Sequence, residues 1–547
     1  MGLIPFLQWK HYYPLTDFYT EWAAAFIGIC ALLFNFRRLD ELPLISLVPV
    51  SLILVVWLQY FTGMIDYPQQ ALLISLYLSW AALISMLGHA LKRDFGIEKA
   101  AAILAWCILA GGFLNAVSAL IQHHHFSLPF VTADSAETVY GNLAQQNHFS
   151  DYVSLSIASL LYLFARKKIP FFIAIPIGIL ALYTLALSGS RSSWLYLSAM
   201  TMLALFQYRK ERALLLGALL LVPAFSLMQY AAHLFDAVAT TSADRMLVIA
   251  KDSGIRLYLW HEAWLMFLKA PLLGVGFGQF AWHHFCYGPV LGNAAITGLY
   301  TNSHDILLNF LAETGLVGSL VLVLGIFFWA RRIAMPFDIH AWWIYSLLLV
   351  MALHSLDEYP LWYAQFLGVF MLLLGFGESR ALKLYMARPI AAFLLVSGSY
   401  LMTGLLLDYL HLEALLYPGY HNGKPPLKAS ALYDSLYRAR QETLLLPYVE
   451  YPLAEMFPMN SRNLEWKLGM TERVVHFSPT GMVNYQYAAL LALDGQEAKA
   501  KLQVERSEYS DPDLLEEAFG LYSGLAEKQP EKFAPLEKEV MTKLKEQ

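Results

Sequence analysis

Charged side chains are scarce in this sequence. Asp, Glu, Lys and Arg make up 14% of its 547 residues, whereas an average soluble domain carries about 25%. The net charge is −5, and no long basic run provides the positive surface that binds nucleic-acid phosphates. This balance excludes an ordinary soluble enzyme, a disordered protein and a nucleic-acid-binding protein.

Cysteine is also rare. Cys30, Cys107 and Cys286 lie far apart, so the sequence predicts neither a disulfide framework nor a thiolate metal site. The N-terminus lacks the order of charged, apolar and small residues that marks a signal peptide. We therefore expect insertion through the first helix, with residues 1–7 either a short interfacial anchor or the remainder of a longer apolar segment.

Apolar residues dominate the chain. They make up 58% of it, and the mean hydropathy is +0.48. A run of about 20 apolar residues crosses the ~30 Å hydrocarbon core of a bilayer, and the runs here show no strand-like alternation. The sequence predicts a polytopic α-helical membrane protein with about twelve transmembrane helices. These spans are expected near residues 19–36, 43–62, 70–91, 100–121, 148–165, 170–188, 193–208, 213–231, 306–330, 341–357, 361–377 and 387–407.

Lys and Arg in the short loops predict the orientation of the spans. Basic clusters occupy every second loop, which should therefore be cytoplasmic: residues 37–38, 92–93, 166–168, 209–212, 331–332 and 380–383. The loops at 63–69, 122–147, 189–192, 232–305 and 358–360 then face the opposite side. The loop at 232–305 is too long for a simple connector.

The C-terminal part differs in composition. Residues 409–547 hold 15 of the 37 Lys and Arg residues and 20 of the 42 Asp and Glu residues. We therefore predict a membrane domain over 1–408, which includes the loop at 232–305, and a soluble helical domain over 409–547. Paired short helices are expected near 485–493 and 497–504. Two roles are open for this domain: a cap that only stabilises the non-cytoplasmic face, or a docking surface for an acceptor, which we favour.

Polar clusters collect on the predicted non-cytoplasmic side, where distant segments can form one site. They occupy residues 141–148, 188–194, 254–261, 274–280, 301–305 and 358–363. Arg191 gives the strongest indication of a binding role. An arginine near the end of a span is destabilising unless its charge is paired with an anion or lies at the membrane interface. The alternative to anion binding is an interface anchor.

Two further residues each have a structural alternative. Arg256 either binds an anion or pairs with Glu262 or Asp252 on a loop helix. His304 either acts chemically or only precedes a helix, with Asn302 or Ser303 as the N-cap and Asp305 in the first turn.

Two other patterns carry weaker signals. The glycines at 274, 276 and 278 follow no strand, so they predict a tight turn and no dinucleotide site. Residues 123–125 are consecutive histidines, which cannot all face one ion, and we expect an exposed loop tract there.

Taken in order, the polar boxes resemble those of the O-antigen ligase and polymerase superfamily, and most closely its PglL-type pilin O-oligosaccharyltransferases. The resemblance covers residues 20–380. The boxes that carry it are Gly141-Asn-x-x-Gln145-x-Asn147-His148, Ser188-x-Ser-Arg191, Gly254-x-Arg256 with Trp260, Asn302-Ser-His304, Leu311-Ala-Glu-x-Gly-Leu316 and Glu358-Tyr-Pro-Leu-Trp-Tyr363. Departures are Gln146, where the family usually has proline, and Asp305, where it often has asparagine.

The resemblance implies transfer of a whole glycan at the periplasmic face of a bacterial inner membrane. The donor would be an oligosaccharide linked to undecaprenyl diphosphate, and the acceptor a Ser or Thr hydroxyl of a pilin or another periplasmic protein. Arg191 and Arg256 would neutralise the diphosphate, and His304 would be the general base. Gln145, Asn147, His148, Glu358 and Tyr363 would bind substrate. No metal or other cofactor is expected, because the arginines supply the positive charge.

Two alternatives are also compatible with the sequence. The same donor could serve an O-antigen ligase or a polysaccharide polymerase. From a different class, the chain could be a transporter of lipid-linked glycan, although no internal repeat is visible and the polar boxes lie at one face and not at mid-membrane.

Overall fold

The computed structural model describes residues 1–133, 138–206, 211–235, 241–247, 252–292, 296, 298–333, 337–383, 385–420 and 425–546. In these residues the chain is almost entirely helical. The α-helices are α1 (Phe18–Phe34), α2 (Leu47–Phe61), α3 (Pro68–Phe95), α4 (Ile97–His123), α5 (Gln146–Ala165), α6 (Phe171–Leu187), α7 (Ser192–Leu205), α8 (Arg212–Phe235), α9 (Ser242–Leu247), α10 (Asp252–Lys269), α11 (Phe280–Leu291), α12 (Ile306–Arg332), α13 (Ile339–Ser355), α14 (Ala364–Gly377), α15 (Ala387–Leu416), α16 (Ala429–Ala439), α17 (Leu446–Glu455), α18 (Leu464–Phe477), α19 (Met482–Leu493), α20 (Glu497–Ser510), α21 (Leu515–Ala526) and α22 (Pro530–Glu546).

Each of the twelve predicted spans coincides with one of these helices, namely α1 to α8 and α12 to α15. Within the described residues, six helices are long and apolar enough to cross a membrane: α3, α4, α8, α12, α15, and α2 with the turn before it. Helices α1, α6, α7, α13 and α14 are apolar but shorter. The chain is therefore a polytopic helical membrane protein, as predicted.

Helix α5 is buried along most of its length and carries five buried polar side chains spread around its circumference: Ser150, Asp151, Ser154, Ser156 and Ser159. Buried polar groups need hydrogen-bonding partners, so α5 is suited to the interior of a helix bundle and not to contact with lipid. This helix begins at the box of residues 141–148.

The chain divides into two units. The first contains residues 1–51, 76–254 and 321–402, and the second contains 52–75, 255–320 and 403–547. The predicted boundary near Asp408 lies inside α15, which continues to Leu416.

In the first unit, the N-terminal segment packs among the helices. Residues Ile4–Leu7 form a 3₁₀ turn. The Phe6 ring stacks on Tyr152 of α5 at a centroid distance of 3.9 Å. The Asn115 amide of α4 donates to the Phe6 carbonyl at 2.8 Å, and the Tyr152 hydroxyl donates to the Gly2 carbonyl at 2.8 Å. These contacts fix the ends of α4 and α5 next to the box at 141–148.

Three of the predicted cytoplasmic clusters meet at one end of the first unit. Strands β1 (Glu41–Pro43) and β2 (Ala381–Lys383) pair antiparallel, with Glu41 opposite Lys383. Arg93 of α3 contacts Asp40 at 2.8 Å and Glu41 at 3.1 Å. Part of the fourth cluster, at 209–212, lies outside the described residues.

In the second unit, the predicted tight turn is confirmed and fits against a kink in α12. Gly274, Gly276 and Gly278 all have positive φ angles, between 71° and 115°. Helix α12 is broken at Gly315, whose φ is 59°. A side chain at Gly274 would lie 2.3 Å from the Glu313 carbonyl carbon, and one at Gly315 would lie 2.5 Å from the Leu272 carbonyl. Only glycine allows these two backbones to approach so closely.

The C-terminal helices pack in sequence, α17 on α18, α18 on α19 and α19 on α20, and α21 packs on α22. The predicted helices at 485–493 and 497–504 are present as α19 and α20. Helices α18 and α20 also pack on α11 of the loop at 232–305. Trp282 of α11 contacts the His476 ring at a centroid distance of 4.3 Å, and Arg506 lies 5.6 Å from the Trp282 ring.

Candidate active site

Gln145 starts helix α5. Its backbone is extended, and its side-chain oxygen accepts a hydrogen bond from the His148 amide at 2.8 Å. The first amides of a helix have no partner within the helix, so this bond satisfies one of them. The oxygen of Gln145 therefore has a structural task, and its amide group is the end that can serve a substrate.

Asn147 joins three of the polar boxes in the first unit. Its amide nitrogen donates to the Glu358 carboxylate at 3.1 Å. Its oxygen accepts from the Ser190 hydroxyl at 2.9 Å. Residues that are 43 and 211 positions from Asn147 in sequence are thus fixed on one side chain. Glu358 and Ser190 are buried, and Asn147 is half-buried.

Arg191 lies between Ser190 and the first turn of α7. It is half-buried, and its backbone is helical. The following Ser192 hydroxyl donates to Asp357 at 2.9 Å, beside Glu358 in the box at 358–363. Ser193 and Ser150 of α5 share a hydrogen bond of 2.8 Å. Through these two hydrogen bonds, the serines of this box hold the backbone at Arg191 close to α5 and to residue 357.

Tyr363 and His148 meet in the same unit. Their ring centroids are 4.6 Å apart, with the edge of one ring toward the face of the other. Tyr363 stands immediately before α14, and the Glu21 carboxylate accepts the next amide, that of Ala364, at 3.0 Å. Tyr359 stacks on Tyr363 at 6.0 Å.

A buried pair that the sequence pattern did not predict lies behind these boxes. Nδ1 of His354, on α13, lies 2.6 Å from Asp151 Oδ2, and both side chains are fully buried. The His354 ring also lies 5.6 Å from the His148 ring. The available signal was an ionisable residue in each of two predicted spans, which is by default a hypothesis of function.

In the second unit, Arg256 is half-buried on α10. One of its two predicted partners is engaged elsewhere, because Glu262 Oε2 lies 2.7 Å from Nδ1 of His284. The side chain of Asp252, the other predicted partner, lies outside the described residues. The choice for Arg256 between anion binding and an ion pair on the loop helix therefore stays a prediction, and α11 places His284 at the Glu262 carboxylate.

His304 lies in a tight turn before α12. Its φ is 54°, and its amide donates to the Asn302 side-chain oxygen at 3.1 Å. Asp305 Oδ1 accepts the Leu308 amide at 2.9 Å, so Asp305 caps α12. The predicted cap at Asn302 or Ser303 is wrong, because those residues form the turn itself. The imidazole of His304 is half-exposed, which allows it to reach a substrate.

The consecutive histidines lie at the end of α4 and in the loop that follows it. His124 and His125 are exposed in the loop after α4, as predicted, and His123 is the last residue of that helix. Within the residues that the structure describes, no group of three His, Cys, Asp or Glu side chains could hold a metal ion.

Three protein families match parts of this chain. Residues 139–164 match the family described as protein glycosylation ligase, residues 176–323 match O-antigen ligase, and residues 342–522 match the C-terminal part of a virulence factor membrane-bound polymerase. The general O-oligosaccharyltransferase of Acinetobacter baylyi is 27% identical, and the match covers 66% of this chain and 66% of that protein. The chain thus spans slightly less than two thirds of this relative.

These matches follow the order of the polar boxes. The box at 141–148 lies in the first matched segment, those at 188–191, 254–256 and 302–304 lie in the second, and that at 358–363 lies in the third. The predicted resemblance is confirmed: this chain is similar to the O-antigen ligases and to the protein glycosylation ligases.

Proposed function

We propose that the chain is an O-linked oligosaccharyltransferase. It moves a preassembled glycan from undecaprenyl diphosphate to a Ser or Thr hydroxyl of a pilin or another exported protein. The observation that carries this proposal is the direct bonding of three family boxes through Asn147. That residue lies within the segment that matches the protein glycosylation ligase family.

The proposed reaction is a displacement at the anomeric carbon of the glycan. The acceptor oxygen forms a bond to this carbon while the bond from the carbon to the phosphate oxygen breaks. Undecaprenyl diphosphate leaves with the bonding electrons, and the imidazole of His304 takes the hydroxyl proton. General-base catalysis of this kind contributes about 10²–10⁴-fold in rate.

Arginines suit the leaving group of this reaction. The guanidinium groups of Arg191 and Arg256 neutralise the diphosphate and stabilise the charge that develops in the transition state. A guanidinium presents a planar fork of donors that matches phosphate oxygens, unlike the point charge of lysine. With this charge supplied by side chains, the proposal includes no metal and no other cofactor.

The remaining boxes are assigned to substrate binding. The amide of Gln145 and the side chains of Asn147 and Glu358 form hydrogen bonds to sugar hydroxyls or to the diphosphate. The paired rings of His148 and Tyr363 orient the donor or the acceptor. A combination of polar and aromatic side chains is suited to a sugar, because a sugar has both polar hydroxyls and apolar ring faces.

The cellular arrangement belongs to the same proposal. The protein lies in the bacterial inner membrane with twelve spans, and its boxes face the periplasm with the loop at 232–305 and the C-terminal helices. This orientation supports access to a donor that has already been flipped across the membrane. It follows from the basic clusters of the short loops.

Reconstitution with the purified chain tests the proposal. The protein is mixed with lipid-diphosphate-linked glycan and a pilin in the presence of EDTA, and the pilin is examined by intact mass spectrometry. We expect a mass increase of one whole glycan, which is lost in His304→Ala and retained in His124→Ala, a matched exposed histidine. Dependence on an added divalent cation would overturn the cofactor part of the proposal. Full activity of His304→Ala would remove the general base.

The second candidate function uses the same donor with a different acceptor. The matches to O-antigen ligase and to the membrane-bound polymerase family favour it specifically. In that case the pilin mass would not change, and glycan would appear on lipid A-core or as a longer polymer. Movement of intact glycolipid across the bilayer without any transfer would instead indicate a transporter.

A further inference from the structure

The segment between α11 and α12, which carries His304, is held from two sides at Gly298. The Gly298 amide donates to the carbonyl of Ser510, the last residue of α20, at 2.9 Å. The Gly298 carbonyl lies 3.3 Å from Nε2 of His284 on α11. The φ of Gly298 is 92°, a conformation that favours glycine. Both polar groups of one residue are thus bound by two different helices.

The orientation of the His284 ring is set by Glu262 of α10. A carbonyl can only accept, so Nε2 of His284 carries the proton that faces Gly298. Nδ1 lies 2.7 Å from Glu262 Oε2. With a proton on Nε2, this bond requires either a second proton on Nδ1, donated to the carboxylate, or a protonated Glu262 that donates to Nδ1. Glu262 is fully buried, and the exposed fraction of the His284 side chain is only 8%. The contact of Nδ1 with Glu262 therefore orients the ring so that Nε2 faces the Gly298 carbonyl, as a carboxylate orients a histidine in other proteins.

Tyr300 extends this arrangement toward His304. Its ring lies 5.4 Å from the His284 ring, edge to face, and 6.3 Å from the His304 ring. Tyr300 also packs against the small apolar core that α10, α11 and α12 share, which includes Leu259, Phe280 and Ala312. On the other side of His304, the Ser303 amide donates to Asn309 of α12 at 3.0 Å. His304 is therefore held between the Gly298 contacts and the start of α12.

We propose that Glu262 and His284 are positioning residues for His304. They act through the hydrogen bond from His284 to the Gly298 carbonyl and through the contact with Tyr300, and the Ser510 carbonyl is the second anchor of the same segment. The C-terminal helices thus help to shape the site, in addition to any role in docking. The catalytic consequence rests on the proposed function, whereas the ordering of residues 298–305 does not.

Substitution of His284 by glutamine or by asparagine tests the roles of its two ring nitrogens one at a time. In His284→Gln the side-chain amide reaches the position of Nε2 and keeps the bond to Gly298. In His284→Asn it reaches only the position of Nδ1 and keeps the bond to Glu262. His261→Gln, an exposed histidine beside Glu262, is the matched control. Each full-length variant is compared by thermal unfolding, by amide hydrogen exchange and by transfer kinetics.

We expect His284→Asn to increase hydrogen exchange in the 298–305 peptide about fivefold, the effect of one lost hydrogen bond. We expect kcat to fall about 10- to 100-fold from misplacement of the base, with the KM for the lipid-linked donor changed less than about twofold. His261→Gln should match the parent, and His284→Gln, which keeps the bond to Gly298 but loses the contact to Glu262, should lose less than His284→Asn. For Glu262→Gln we expect hydrogen exchange and kcat between those of the parent and those of His284→Asn, because the glutamine amide can keep the contact to Nδ1 without the charge.

Several outcomes overturn the inference. Unchanged exchange at 298–305 in His284→Asn would exclude positioning through Gly298. Equal loss in His284→Gln and His284→Asn, with a lowered unfolding temperature in both, would indicate a general packing role. If the parent transfers nothing but His284→Asn still loosens 298–305, the proposed function fails while the anchoring of this segment stands.

Discussion

At the scale of single residues, Arg191 provides the sharpest test of diphosphate binding. Arg191→Lys keeps the charge but loses the planar fork. We expect transfer to fall at least about 10-fold, since removing one donor to a developing anion costs about 10²–10³ in kcat. Arg212→Lys, an exposed arginine at the start of α8, serves as the control. Initial rates with saturating pilin measure the effect, and parental rates in Arg191→Lys would contradict the assignment.

A second prediction at the scale of single residues concerns the effect of Glu508 on the stability of the protein. Glu508 lies on α20, its exposed fraction is 8%, and both its carboxylate oxygens lack a hydrogen-bond partner in the described part of the chain. Burial raises the pKa of this carboxyl to about 8. Because the folded pKa exceeds the unfolded value, the protein should lose stability as pH rises from about 4.5 to about 8, at about 1.4 kcal/mol per pH unit.

Glu508→Gln should therefore raise the unfolding temperature at pH 8 and change it little at pH 4.5. The measurement is thermal unfolding in detergent across this pH range, with the exposed Glu531→Gln on α22 as the control. A constant difference between Glu508→Gln and the parent at every pH would show that packing, and not ionisation, is responsible.

At the scale of elements, the kink of α12 depends on one glycine. The sequence predicts a single span over 306–330, and the structure breaks this helix at Gly315 so that residues 272–274 can approach it. Gly315→Ala would combine a positive φ with a contact of 2.5 Å to the Leu272 carbonyl. We expect a loss of about 1–3 kcal/mol, typical of such strain.

Gly520→Ala in α21 is the matched control for this substitution. Among the described residues, no atom outside its own helical turn lies within 4 Å of a side chain added there, and helical glycine to alanine is favourable by about 0.5–1 kcal/mol. Thermal unfolding of both variants measures the difference. If Gly315→Ala is as stable as Gly520→Ala, the close approach of the two backbones does not depend on glycine.

At the scale of the whole molecule, the charge pattern predicts the orientation in the membrane. With Cys30, Cys107 and Cys286 replaced by alanine, single cysteines are introduced at the exposed positions Arg462 and Arg331. An impermeant maleimide applied to spheroplasts should label Arg462→Cys at once and Arg331→Cys only after lysis. The reverse pattern would place the C-terminal helices in the cytoplasm.

Most of the helices could be predicted because the hydropathy pattern that indicates a helix is contained in a short stretch of sequence. Every predicted span coincides with a helix in the described residues, and the helices at 482–493 and 497–510 follow their local pattern. Helix ends were harder, because they depend on single hydrogen bonds. Asp305 caps α12 in place of the predicted Asn302 or Ser303, and α15 runs eight residues beyond the expected boundary at Asp408, to Leu416.

The sequence by itself determined the membrane class, the order of the helices and the order of the family boxes, because each depends on neighbouring residues. Only the tertiary structure decided which side chains meet. Asn147 bonds residues 190 and 358, Asp151 meets His354, and Glu262 meets His284. Such pairings depend on how helices pack across hundreds of residues, and no local pattern of hydropathy or charge encodes that packing.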